Sequence, residues 1–141
     1  MPQRQTFTAG QVLTAAQMTL LQENIWIDDV NTQTGTSYTL VLTDAGKQVT
    51  MSNASASTLT VPTNASVAFV IGTRIMFINL GAGVVTLTPA ATVTISNSAA
   101  DLTIPQYGVA ILFKVATNEW VAQRNFDQDD DQAILSNRIF A

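Results

Sequence analysis

The chain has 141 residues, a net charge of −4 and a sequence pI of about 4.3. It contains no His and no Cys, which excludes disulfides, cysteine-ligated zinc, thiol chemistry and the commonest general base. Only 11% of residues are charged and 47% are hydrophobic, so no basic patch for nucleic acid is expected and a surplus of apolar surface is implied.

A chain of this size fits one domain with an appended element and can bury a core without staples. No apolar run approaches the roughly 18 residues of a membrane helix. The longest candidate, Val67 to Asn79, is interrupted by Gly72, Thr73 and Arg74, so membrane insertion is not expected. The opening Met1-Pro2-Gln3-Arg4-Gln5 has no apolar signal core, which indicates no Sec-type export.

Residues 1–13 are polar, carry Pro2 and Gly10 and read as an extended arm anchored by Phe7 and Val12. Residues 14–35 read as a short helix and a linker. Thr14 and Gln17 form a capping box at the helix start, and Leu13 can pack on Met18 as a hydrophobic staple. The helix is predicted from about Ala15 to Asn24, with Met18, Leu21 and Ile25 on one face; these three, with Phe7, Val12 and Trp26, are candidates for docking on a partner. Ile25-Trp26-Ile27 then leads into the turn-forming stretch from Asn31 to Ser37.

Residues 36–123 read as about nine short strands. They are placed at Tyr38–Leu42, Gln48–Met51, Thr58–Val61, Ala68–Asn79 and Val84–Thr88, then Thr92–Ile95, Asp101–Ile104, Gly108–Ala116 and Glu119–Gln123. Asp44-Ala45-Gly46, Pro62-Thr63-Asn64, Gly81-Ala82-Gly83, Pro89, Pro105 and Thr117-Asn118 punctuate them. Leu59 and Val61 alternate with Thr58 and Thr60, as a strand with one buried and one hydroxyl-bearing face requires. Val109 to Phe113 is continuously apolar, which suits a strand covered on both faces and predicts Phe113 in the core. Many short strands with regular turns indicate a mainly β fold, a β-sandwich or jelly roll of eight to nine strands behind an N-terminal arm and one helix.

Residues 124–141 read as an acidic linker and a docking tail. Asp127, Asp129 and Asp131 have the opening spacing of a calcium loop, but Gln132 and Arg138 stand where its Gly and bidentate Glu belong. The run is therefore read as a solvated linker or helix cap, with no metal and no cofactor. Ile134, Leu135, Ile139 and Phe140 are expected to dock on a neighbouring subunit.

No catalytic constellation emerges. Asp44, Asp101 and Glu119 are not brought together by spacing, and without His the usual triad cannot form. Trp26, Tyr38, Tyr107 and Trp120 are possible stacking platforms for sugars, with a core or interface role expected for Trp120. Arg74 and Lys114 interrupt apolar strands. Each is read as facing solvent, with pairing to an acid across a subunit interface as the sharper alternative. The sequons Asn53-Ala54-Ser55 and Asn64-Ala65-Ser66 read as coincidental.

The run Tyr38-Thr39-Leu40-Val41-Leu42-Thr43-Asp44-Ala45-Gly46-Lys47, followed by Val49 to Ala56, Leu59 to Pro62, Ile71 to Ile75 and Leu80 to Leu87, resembles a small β-domain of tailed-bacteriophage structural proteins. Lys114 to Val121 looks like its last hairpin, and Phe7 to Ala16 resembles a leader segment of such proteins. The likeness spans about residues 7 to 122 and does not extend to the acidic segment or the tail. It implies a virion structural protein without enzymatic activity, assembled in the host cytoplasm. The expected form is a homotrimeric capsid decoration (cement) protein gripping the major capsid protein through arm and tail. The alternative is a trimeric tail fibre or tail-tip protein held by tail or baseplate proteins and binding host surface glycans.

Overall fold

The computed structural model describes residues 8–19, 29–98 and 100–124. Its strands are β1 (Val30–Gln33), β2 (Ser37–Thr39), β3 (Gln48–Met51), β4 (Ser57–Val61), β5 (Arg74–Asn79), β6 (Val85–Pro89), β7 (Thr94–Ser96), β8 (Thr103–Ile104), β9 (Val109–Ala116) and β10 (Glu119–Arg124). They form a β-solenoid of about three turns. Each turn gives one strand to each of two sheets. β1, β3 and β5 lie parallel in one, and β2, β4 and β6 lie parallel in the other. Beyond β5 the first sheet continues with the antiparallel hairpin β9–β10 and ends on β7, giving the order β1-β3-β5-β9-β10-β7. The second sheet ends with β8 antiparallel to β6, in the order β2-β4-β6-β8.

This architecture replaces the expected sandwich or jelly roll. Alternation in a strand tells which side chains face inward, but not which strand lies beside it. The short connections that read simply as turns between successive strands carry the chain, in the solenoid coils, from one sheet across to the other. The corner between β3 and β4, Asn53-Ala54-Ser55, stacks directly under Gly81-Ala82-Gly83 between β5 and β6. The Gly83 amide donates to the Asn53 carbonyl at 2.9 Å, and the Leu80 amide to that of Met51 at 2.8 Å. A Cβ on Gly81 would overlap the Asn53 backbone, and one on Gly83 would overlap that of Ser55. Glycine is needed here for close approach of successive coils. One coil below, Asn53 Nδ2 donates to the Thr34 carbonyl at 2.8 Å.

The core lies between the sheets. Val49, Ile75, Phe77, Leu112 and Trp120 project inward from the first sheet and Leu59, Val61, Val85, Leu87 and Ile104 from the second, all fully buried. Burying each of these side chains contributes about 1.5–3 kcal/mol. Asn79 is also fully buried and holds the corner above them. Its Nδ2 donates to the carbonyls of Gly83 (2.8 Å) and Ile104 (3.0 Å), and its Oδ1 accepts from the Gly81 amide at 3.0 Å. A buried carboxamide is tolerated because its polar atoms are matched.

Several boundaries differ from expectation. The supposed linker from Asn31 to Ser37 contains all of β1 but Val30, and the start of β2. The predicted strand to Leu42 ends at Thr39, and Leu42–Asp44 is a 3-10 turn. Residues 68–73 belong to the connection before β5. Residues 15–19 are helical, and the expected capping box is present. The Thr14 amide donates to Gln17 Oε1 at 2.9 Å and the Gln17 amide to Thr14 Oγ1 at 3.3 Å.

Candidate docking surfaces

The long connection from β4 to β5 is held by a buried lysine. Lys114 on β9 retains only 2% of its exposure. Its Nζ donates to Asn64 Oδ1 at 2.6 Å and to the Phe69 carbonyl at 2.7 Å. The same ammonium lies 6.0 Å from the centre of the Trp120 ring, against which Phe69 packs edge-to-face with centroids 5.5 Å apart. Two further bonds clamp the connection: the Asn64 amide donates to Asn118 Oδ1 at 2.8 Å and the Gly72 amide to the Lys114 carbonyl at 2.8 Å. Burial holds the Lys114 ammonium below the ordinary lysine range. The solvent-facing reading of Lys114 is thus overturned, whereas Arg74 is exposed as expected.

The clamp fixes an apolar tip. Val70 and Ile71 stand 53% and 60% exposed next to the buried Phe69. Exposed aliphatic side chains on a loop cross-tied at both ends lose little conformational freedom on binding, which favours docking.

A second polar cluster braces the first turn of the solenoid. Asp44 is buried and accepts from Asn31 Nδ2 at 2.7 Å, the Tyr38 hydroxyl at 2.9 Å and the Val41 amide at 2.9 Å. Burial, then the neighbouring Asp44 carboxylate, hold the Tyr38 phenol above its ordinary value, so it remains a donor. Asp101 is held low by the amide and hydroxyl of Thr103 and by Arg124, whose guanidinium lies 3.1 Å away. These carboxylates tie strands together. Among the described residues no group of His, Cys, Asp or Glu could hold a metal ion.

The two outer faces contrast. On the four-stranded sheet, Ser37, Thr58, Thr86 and Thr103 stand side by side, and Thr39, Thr60 and Thr88 form a second row. On the six-stranded sheet the corresponding face carries Met76, Ile78, Ile111 and Phe113, half-buried, with Val115 and Val121 exposed. Phe113 therefore lies outside the core, contrary to the sequence reading.

Of the expected docking residues, Val12 is 86% exposed and Met18 is also exposed. Phe7, Leu21, Ile25, Trp26, Ile134, Leu135, Ile139 and Phe140 lie outside the described residues, as does the acidic run from Asp127. Of the four aromatic candidates, Trp120 is buried, Tyr38 is half-buried and committed to Asp44, and Trp26 is not described. Tyr107 alone among those described stands open, 72% exposed and at a φ of 63°. Val70 and Ile71 were read as strand residues; the nearby Gly72, at a φ of 93°, was the signal that the chain turns there. Asn53 and Asn64, formal sequons by sequence, each hold a corner or a loop.

Comparison with known proteins finds no match: no family model, curated protein or solved structure is similar to this chain.

Proposed function

We propose that this chain is a structural protein of a tailed-phage virion that acts by docking, as a homotrimeric decoration protein binding the mature capsid shell. The observation that carries this reading is the Val70–Ile71 tip, held outward by Lys114 on a solenoid whose buried Asp44, Asn79 and Lys114 are engaged in structural contacts. The residues quoted for the phage likeness support the virion assignment. Binding only the mature shell stabilises that state by mass action, and three linked copies bind with high effective concentration.

The test is cosedimentation with purified capsids. The double variant Val70→Ser, Ile71→Ser is expected to fold normally and bind at least tenfold more weakly; unchanged binding removes the tip from the docking surface. Removing residues 1–13 tests the arm, through Val12, in the same assay.

The tail-fibre reading keeps one specific support. Tyr107 exposes an aromatic ring at a corner, beside which Gln106 Nε2 donates to the Leu80 carbonyl at 3.4 Å. An open ring backed by polar groups suits stacking on a host sugar. Loss of host-cell or glycan binding in Tyr107→Ala, with capsid binding unaffected, favours that alternative.

A further inference from the structure

We infer that copies of this chain meet through the outer face of the six-stranded sheet, with Arg74 of one copy facing Glu119 of the next. This rests on the oligomeric reading above and names the surface that builds the oligomer. Both sheets have the same alternation, yet their outer faces differ in kind. One is covered by Ser and Thr hydroxyls in register, which water satisfies. The other is apolar along β9 and at Met76, Ile78 and Val121 of the two strands beside it, with Gln123 exposed next to Ile111. Met76 stands beside Ile111, and Phe113 beside Val121. The continuous apolar run through β9 is the sequence of a strand covered on both sides. The core covers Ala110 and Leu112, and Ile111 and Phe113 are left half-buried.

Charge identifies the occupant. Arg74 borders this patch on β5 and Glu119 borders it on β10, both exposed, on opposite sides of β9. Two strand spacings of about 4.8 Å and a further offset along β10 separate them, and they do not pair within one chain. The two salt bridges of the described residues, Lys47–Asp29 and Arg124–Asp101, involve neither. A cyclic assembly whose axis runs along β9 sets the β5 side of each copy against the β10 side of the next. Arg74 then meets a Glu119 at every interface, and the apolar rows close on one another around the axis. A surface carrying one cation and one anion astride an apolar stripe is complementary to itself, as closed symmetry requires. In the trimer proposed above, three such interfaces close the ring.

Sedimentation velocity of the full chain over a range of concentrations tests the inference. The wild type is expected to form trimers. Val121→Glu is expected to be monomeric, and Arg74→Glu to dissociate at least tenfold more readily. Arg74→Glu combined with Glu119→Arg is expected to restore association. Should Val121→Glu fail to fold by circular dichroism, the two charge variants, both at exposed positions, decide alone. Trimers that persist unchanged in the variants overturn this surface and leave the oligomeric reading standing. A wild type monomeric at every concentration overturns both.

Discussion

The Lys114 ammonium donates to the carbonyl of Phe69 at 2.7 Å, across forty-odd residues of chain, and so ties the longest connection of the solenoid to the inner side of β9. No carboxylate among the described residues pairs with it. The charge is held by neutral acceptors and by the face of Trp120. A buried lysine used in this way positions a loop at the cost of desolvation.

That cost has a pH signature. Burial lowers the folded-state pKa of Lys114, so between that value and the ordinary lysine value of about 10.4 the unfolded chain binds more protons. The destabilisation is fully present below this window and is relieved as pH rises through it. Tyr38, whose phenol is raised, titrates in the opposite sense, so the informative quantity is the difference between wild type and Lys114→Met in denaturant melts. The expected difference includes a loss in the variant of about 1–3 kcal/mol at neutral pH, because one buried and one half-buried acceptor lose their donor. It also includes an alkaline rise in stability that the variant lacks. Parallel pH profiles for the two proteins contradict this account.

The stacked corners predict a sharp contrast between glycines. Gly81→Ala places a Cβ on the backbone of Asn53 and is expected to cost at least about 3 kcal/mol. Gly35→Ala meets its nearest atom, the Ser37 carbonyl oxygen, at 3.8 Å and is expected to fall within about 0.5 kcal/mol of wild type. Chemical denaturation of the two variants checks both values. Equal effects would mean that the coils do not approach as described.

Mainly β structure, most strand positions after β1 and the inward alternation were legible in the sequence; the winding was not. Leu59 and Val61 are buried as their alternation with Thr58 and Thr60 implies, and the β9–β10 hairpin turns at Thr117-Asn118. The missed signal is a repeat. Thr58-Leu59-Thr60 recurs as Thr86-Leu87-Thr88, and these residues pair in register. Gln48 pairs with Met76 at the same offset as Ser57 with Val85, which is the mark of coils stacked in parallel. The β4–β5 connection differs in length from the corresponding segment of the previous coil and hides this period. Lys114 was misread because one charge in an apolar strand has solvent as its commonest partner; its acceptors come from a distant loop that only the fold brings near. Phe113 was misread because an apolar run does not distinguish a core from an interface.

Phe113 carries the corresponding prediction. Half-buried on the outer face, Phe113→Ala is expected to cost the isolated chain about 1–2 kcal/mol, short of the 3–5 kcal/mol of a core phenylalanine. A loss in the core range when unfolding is measured below the association concentration would return Phe113 to the interior.

Thr73 predicts a gain. Its hydroxyl is buried and has no hydrogen-bond partner. Thr73→Val keeps the shape and removes the unsatisfied group, and should stabilise the fold by about 1 kcal/mol. A destabilised variant would show that the hydroxyl is hydrogen-bonded in solution.

Docking on the virion shell, as proposed here, requires many copies of this chain per particle. Copy number in purified phage particles, measured against the major capsid protein by quantitative mass spectrometry, decides the matter. Hundreds of copies per particle, released as trimers on mild dissociation, are the predicted result. A few to a few tens of copies would place the chain in the tail, and absence from the particles would contradict the account.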